Sequence, residues 1–124
     1  MIFSLRHFTP VIIWLLLILF SAILPGNEIP ETGFKGFDKI VHISIYAVLC
    51  FLLKIALHKQ FVYSYRSYRV KYYAVTIAFL YGFLMELIQH LFTSNRSFEL
   101  LDILANTVGC MVGVLIFAFV YRKI

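Results

Sequence analysis

Carboxylate, imidazole and amide side chains occur at helical spacing in three apolar segments of the chain. These groups are Asp38 with His42, Glu86 with Gln89 and His90, and Asp102 with Asn106. Residues three or four positions apart lie on one face of an α-helix, so each group presents its polar side chains together. An imidazole titrates near neutral pH and can exchange a proton with a carboxylate on a facing helix. This is general acid–base chemistry, and the sequence predicts His42, Glu86 and Asp102 as the catalytic candidates.

Further polar residues near the same segment ends favour ligand binding. Lys39 and Arg96 could hold a phosphate or carboxylate group, Arg96 in bidentate fashion. The predicted ligand-binding set is Asp38, Lys39, Tyr46, Gln89, Arg96 and Asn106. A metal site is an alternative that would use His42, Glu86, His90 and Asp102. The chain has no compact ligand motif such as His-Glu-x-x-His, so we expect neither a bound metal nor a cofactor.

The composition places these side chains in a membrane. Of the 124 residues, 62% are hydrophobic and 14% are charged, whereas soluble domains have about 45–50% apolar and about 25% charged residues. The mean hydropathy is +0.91. These values exclude a water-soluble globular enzyme, a disordered chain and a nucleic-acid-binding domain of the usual charged kind. They indicate a small integral membrane protein.

Four apolar runs cover nearly the whole chain, and crossing a bilayer takes about 20 residues for each. The spans are expected at about 8–24, 38–57, 72–92 and 100–121. The runs are too long and continuous for β-strands. We therefore predict an all-α fold, an integral membrane four-helix bundle that forms one domain over residues 1–124. A cleaved signal peptide is the alternative for the first run, but no clear small-x-small cleavage site follows it.

Lysine and arginine residues predict the orientation of the spans. Alternating spans bring most of them to one side, namely Arg6, Lys59, Arg66, Arg69, Lys71, Arg122 and Lys123. Lys54, late in the second span, can snorkel toward the same side. Ends rich in Lys and Arg face the cytoplasm, so both termini are expected inside the cell, with the protein in the plasma membrane. The tyrosines near residues 58–71 fit an interfacial aromatic belt, and we do not expect a nucleic acid as a partner.

All six carboxylates fall on the other, outer side or in the outer half of a span. His42, Glu86 and Asn106 each lie roughly 6–10 Å below the outer end of their helix, at 1.5 Å per residue. Ionisable side chains within a membrane normally face the bundle interior and pair with one another. We therefore expect a polar pocket between the second, third and fourth spans, open to the outer face.

Small residues are expected to bring the helices close together. Ala105, Gly109 and Gly113 recur every four residues in the fourth span. Such a stripe lets a neighbouring helix approach closely. Gly82 lies one turn from the carboxylate of the third span and would let a neighbour pack tightly beneath it.

These motifs, taken in order, resemble those of the VanZ-like family of small bacterial membrane proteins, named for a teicoplanin-resistance protein. The matching pieces are Asp38-Lys39-x-x-His42-x-x-x-Tyr46, Glu86-x-x-Gln89, Arg96 and Asp102-x-x-x-Asn106-x-x-Gly109, with a weaker match of Ser21 and Pro25. The resemblance covers nearly the whole chain. It implies an envelope protein, linked in some members to reduced glycopeptide susceptibility, and it supplies no settled reaction, substrate or metal.

Two interpretations of the polar pocket stay open. In the first, the pocket binds or acts on an outer-leaflet lipid or a lipid-linked cell-wall precursor, and membrane lipids are the partners. In the second, the polar side chains only hold the helices together, and the chain is a non-catalytic scaffold or a modulator of a partner protein. Transport is less favoured because four spans are few and no broken-helix repeat is present. The sequence does not decide whether the protein is an enzyme.

Overall fold

The described part of the chain is almost entirely helical. The computed structural model describes residues 4–23, 37–61, 69–92 and 100–121. The long helices are α1 (Thr9–Ile23), α2 (Phe37–Phe61), α3 (Val70–Phe92) and α4 (Leu100–Val120), and a short 3-10 helix, Leu5–Phe8, precedes α1. These residues contain no β-strand. The all-α prediction is confirmed.

Four segments are long and apolar enough to cross a membrane, as predicted. They are Leu5–Ile23, Asp38–Phe61, Val70–Phe92 and Leu100–Val120. The largest departure from the sequence prediction is at the end of α2, which continues about one turn beyond residue 57. Basic His58 and Lys59 in this last turn suit the negative end of the helix dipole. The Gln60 side-chain oxygen also accepts a hydrogen bond from the Ser4 backbone amide at 3.0 Å.

The predicted connections lie largely outside the described residues. This applies to residues 24–36, 62–68 and 93–99. Arg96, predicted to bind an anion, falls in the last of these segments, and Pro25 falls in the first.

α2 and α3 form the centre of the bundle. α1 and α4 each contact both of them, whereas no contact joins α1 to α4 within the described ranges. α2 and α4 run parallel, because Lys39 meets Asp102 near their first residues and Phe51 meets Phe117 toward their ends. The helices of an up-down bundle alternate in direction, so this pairing fits four successive spans.

The closest helix pair is α2 with α4, and glycine makes this approach possible. A Cβ atom on Gly109 would meet the Ile43 carbonyl oxygen, and one on Gly113 would lie 3.0 Å from the Cβ atom of Cys50. Ala105, the third member of the predicted stripe, is buried as well. The prediction that small residues let a helix pack closely against α4 is confirmed.

Side-chain hydrogen bonds attach α1 to the central helices. The indole N–H of Trp14 donates to the Ile45 carbonyl oxygen at 3.0 Å. The Tyr81 hydroxyl donates to the Leu15 carbonyl oxygen at 2.5 Å. These bonds occur within a core whose fully buried members are Leu49, Cys50, Val70, Ala74, Ala78 and Cys110. The helix faces pointing away from this core are apolar and suit contact with lipid.

Candidate functional site

Asp102 lies in the first turn of α4, and its neighbour on α2 is Lys39. The Lys39 ammonium donates to Asp102 Oδ1 and also, at 2.9 Å, to Asp38 Oδ2. The two carboxylates differ in environment, since the side chain of Asp38 is 61% exposed and that of Asp102 is 11% exposed. Lys39 therefore connects a carboxylate at the rim with one inside the bundle. Pairing of this kind offsets the cost of placing ionised groups in a membrane.

His42 lies one turn deeper on α2 and joins the same group. Its Nδ1 is 2.9 Å from Asn106 Oδ1. The amide oxygen can only accept, so His42 Nδ1 carries the proton in this contact. The other ring nitrogen, Nε2, lies 3.8 Å from Asp102 Oδ1, which is too long for a direct hydrogen bond.

This geometry defines what the group can do chemically. A neutral His42 protonated on Nδ1 has its lone pair on Nε2, and it can accept a proton there from a ligand hydroxyl or a water molecule. We call Lys39, His42, Asp102 and Asn106 the polar cluster.

α3 closes the inner side of the polar cluster through a glycine. A Cβ atom on Gly82 would lie 2.9 Å from Asn106 Nδ2 and 3.1 Å from Tyr46 Cε1. The backbone of α3 therefore lies directly against these two side chains. Asn106 is 3% exposed and Tyr46 is 2% exposed, so both are fixed by contacts on several sides.

Two further polar residues of α3 are buried near this level. Glu86 is 2% exposed and Gln89 is 9% exposed, and both interact with other groups of the protein. An ionisable group at the bilayer centre costs about 2.5–3.5 kcal/mol on insertion scales. The burial of Glu86 inside the bundle rather than toward lipid avoids part of this cost.

The structure places most, but not all, of the sequence candidates together. The four residues of the polar cluster contact one another, and Tyr46 lies beside Asn106. Asp38 is at the exposed rim. Glu86 and Gln89 are buried on α3, while Arg96 is outside the described residues. The catalytic and ligand-binding roles of these residues stay predictions.

The residues proposed for a metal site are arranged differently. His90 is exposed. Within the described ranges, no three or more His, Cys, Asp and Glu side chains are grouped so that they could hold a metal ion. The structure therefore gives no support to the metal alternative.

The sequence analysis did not identify which residues pair across helices inside the polar cluster. Lys39 contacts Asp38 on its own helix and Asp102 on α4. A signal was present, because Lys39 and Asp102 both lie near the start of spans that run in the same direction. Spans two and four of an alternating bundle are parallel, which brings their first turns to the same side of the membrane.

Comparison with known proteins identifies a family for the chain. The family model described as VanZ/LLP1 matches residues 2–121. No curated protein and no solved structure matches the chain. The match covers nearly the whole chain, including all four helices and every residue of the polar cluster. The chain thus belongs to the VanZ/LLP1 family.

Proposed function

We propose that this VanZ-family membrane protein uses the polar cluster to bind or act on an outer-leaflet lipid or a lipid-linked cell-wall precursor. The observation that carries the proposal is the position of His42. Asn106 holds its Nδ1 at 2.9 Å, while its Nε2 faces Asp102 at 3.8 Å without a direct hydrogen bond. A ring fixed on one side and open to proton exchange on the other suits a site that handles a ligand hydroxyl.

Lys39 supplies the attraction for an anionic headgroup in this proposal. Its side chain is 25% exposed, so the ammonium can contact a phosphate at the membrane surface while it stays paired with Asp102. Lysine binds phosphate as a compact point charge. Arg96, in the connection after α3, is proposed to add a bidentate contact. Gln89 and Asn106 would orient the ligand by hydrogen bonds.

The orientation of the protein is part of the same proposal. Seven Lys and Arg residues lie at or beyond the ends of the helices opposite the polar cluster. Such ends face the cytoplasm. Both termini would then be cytoplasmic, the protein would lie in the plasma membrane, and the polar cluster would face the outer leaflet. There it would meet cell-wall precursors, and a change in their handling would alter susceptibility to glycopeptides such as teicoplanin.

A scaffold role is the second candidate, and one observation favours it. The members of the polar cluster satisfy one another, with Lys39 on Asp102 and His42 on Asn106. Interhelical hydrogen bonds in membranes contribute about 0.6 kcal/mol each on average. A non-catalytic protein that modulates a partner would need no more than this.

Binding of a polyprenyl phosphate to the purified protein in detergent tests the ligand proposal. Native mass spectrometry would compare the wild type with Lys39→Gln and with His42→Phe, which keeps a ring at that position and leaves the Lys39 pair intact. Lys59→Gln is the matched control, because it removes the same charge from an exposed lysine at the opposite end of α2. We expect about tenfold weaker binding, or about 1.4 kcal/mol, in both cluster variants and no change in the control.

Teicoplanin susceptibility, measured in cells, provides the second half of the test. Glu86→Gln combined with Asp102→Asn should abolish any change in teicoplanin susceptibility conferred by the wild type, at equal abundance and with folding preserved. Thr107→Val is the control, since the Thr107 hydroxyl donates to the Ile103 carbonyl of its own helix. Two results together would favour the scaffold role. The Lys39→Gln and His42→Phe variants would fold and bind polyprenyl phosphate as the wild type does, and the double variant would differ from the wild type only by failing to fold.

A further inference from the structure

The end of the bundle opposite the polar cluster carries positive charge, and no Asp or Glu side chain belongs to it within the described residues. No Asp or Glu occurs in residues 1–27, 40–85 or 103–124. The described carboxylates, Asp38, Glu86 and Asp102, all belong to the other end of the bundle. Basic side chains late in α2 and early in α3 therefore have no carboxylate at their own end within the described ranges. We call Lys54, His58 and Lys71 the basic group.

Lys54 is the deepest member of the basic group. It lies within the membrane-spanning part of α2 and is partly buried. Its ammonium nitrogen is 4.7 Å from the ring centroid of Phe117 on α4. A cation–π contact offsets part of the cost of burying an ammonium, but it leaves the net charge in place.

A second cation stands close to Lys54. Lys71, at the start of α3, has its ammonium nitrogen 5.2 Å from the ring centroid of Tyr72, and its positive charge acts on Lys54. Two cations at one end of the bundle repel each other unless an anion lies between them or beside them. The protein itself supplies no such anion at this end of its described helices.

His58 adds an unsatisfied polar atom on the same face of α2, one turn beyond Lys54. Its Nε2 is buried and has no hydrogen-bond partner within the described ranges. A buried polar atom without a partner costs about 1–3 kcal/mol. The ring of His58 packs edge-on against Phe117, with the centroids 5.8 Å apart. This contact holds the imidazole next to Lys54.

Aromatic rings complete the surroundings. Phe117 stacks on Tyr121 with the centroids 4.7 Å apart, and Phe51 packs edge-on against Phe117 at 6.2 Å. Aromatic side chains at this level of a membrane protein lie where the acyl chains meet the headgroups. The basic group and these rings together offer charge to a headgroup and an apolar surface to the chain beneath it.

We propose that the basic group binds the phosphate of an anionic phospholipid between the ends of α2, α3 and α4. The phosphodiester lies against Lys54 and Lys71, and it accepts a hydrogen bond from His58 Nε2 when that nitrogen carries a proton. The glycerol backbone and the upper acyl chain contact Phe117 and Tyr121. Basic pockets between membrane helices recognise anionic headgroups in this way. This site is separate from the polar cluster and does not depend on what the polar cluster binds.

The test uses the full chain in a neutral detergent and measures thermal stability during titration with phosphatidylglycerol or phosphatidylcholine. We expect phosphatidylglycerol to stabilise the wild type and phosphatidylcholine to have no comparable effect. Lys54→Met removes from a membrane helix a charge that no described carboxylate offsets, so it should fold without added lipid. Its apparent affinity for phosphatidylglycerol should be about tenfold weaker. His58→Phe keeps the packing against Phe117 and should also weaken binding.

Two controls separate the alternatives. Lys59→Gln removes one charge from an exposed position of the same helix, and Lys39→Met removes one from the polar cluster. Lys59→Gln should keep the response to phosphatidylglycerol. Lys39→Met, compared with its own lipid-free stability, should keep the part of the response that Lys54→Met loses. An equal loss in Lys54→Met and Lys59→Gln would show attraction by net charge alone and would overturn the proposal. A loss confined to Lys39→Met would place the lipid at the polar cluster and would overturn it as well.

The source of the phosphate is the last point to distinguish. Inorganic phosphate and glycerol phosphate, added in place of the lipid, should stabilise the wild type far less than phosphatidylglycerol. Stabilisation by these soluble anions equal to that by the lipid would show a site for free phosphate, and the lipid proposal would be wrong.

Discussion

Single side chains in the polar cluster depend on one another across helices. His42 has its ring orientation fixed by Asn106, and Asn106 is itself held between His42 and the backbone of α3 at Gly82. Hydrogen bonds of this type between membrane helices contribute about 0.6 kcal/mol on average and up to about 1.7 kcal/mol. The contribution of the His42–Asn106 hydrogen bond to the free energy of unfolding is therefore large enough to measure.

A double-mutant cycle of His42→Ala and Asn106→Ala should give a coupling free energy of about 0.6–1.7 kcal/mol. The free energy of unfolding in mixed micelles with increasing SDS provides the measurement. A cycle of His42→Ala with Thr107→Ala serves as the control and should give a coupling near zero, because Thr107 bonds within its own helix. Equal coupling in the two cycles would contradict the bond.

Lys39 and Asp102 form a pair in which one partner is nearly buried. Lys39→Met leaves Asp102, whose side chain is 11% exposed, without its cation, and should lower the free energy of unfolding by about 2–3 kcal/mol. This is somewhat below the ~3–5 kcal/mol for a fully buried pair, since Lys39 is partly exposed. Lys39→Met combined with Asp102→Leu should restore most of the loss, because two apolar residues replace the pair. Chemical unfolding of the three proteins measures both effects, and a double variant no more stable than Lys39→Met would contradict the pairing.

At the scale of helices, the α2–α4 contact sets the position of the polar cluster. The glycines of α4 let its backbone lie against the backbone of α2 at Ile43 and Ala47. Lys39 and His42 lie just before these positions on α2, so the same approach brings them to Asp102 and Asn106. The close packing of α2 against α4 therefore also determines the geometry of the polar cluster.

Gly109→Ala should destabilise the protein by about 1–3 kcal/mol, the usual cost of overpacking. The added methyl group meets the carbonyl oxygen of Ile43, a backbone atom that cannot turn away as a side chain can. Ala118→Val, on the exposed face of α4, is the control and should change stability by about 0.5 kcal/mol or less. A Gly109→Ala protein as stable as the wild type would mean that α2 and α4 lie farther apart.

The whole molecule separates its charges between its two ends. Carboxylates accompany the first turns of α2 and α4 and the last turns of α3, while the other end has basic residues and no Asp or Glu. In the proposed orientation, the basic end faces the cytoplasm and the polar cluster faces the outer leaflet. This orientation is a prediction about the entire chain and is tested on the chain in cells.

A cysteine introduced as Ser94→Cys, in a background lacking Cys50 and Cys110, should react with a membrane-impermeant maleimide added to intact cells. Ser94 belongs to the connection between α3 and α4, which the proposed orientation places outside. The matched control is Ser67→Cys, in the connection between α2 and α3, which should react only after permeabilisation. The reverse pattern of labelling would contradict the orientation.

The sequence by itself determined the helices and the residues that each helix offers. Hydropathy located all four spans, because a membrane requires long apolar segments whose backbone is satisfied within each helix. The spacing of Asp38, His42, Asp102 and Asn106 identified which polar groups share a face, since the helical repeat is fixed. The recurrence of small residues in α4 identified the face that packs closely.

The tertiary structure decided which of these faces meet. That Lys39 pairs with Asp102 and that His42 bonds Asn106 follow from α2 and α4 lying parallel and in contact, which no spacing along one helix reveals. The placement of α1 away from α4 is likewise a matter of packing. The periodicity of a sequence fixes the direction of a side chain around its own helix, whereas the choice of neighbour depends on how all four helices fill space together.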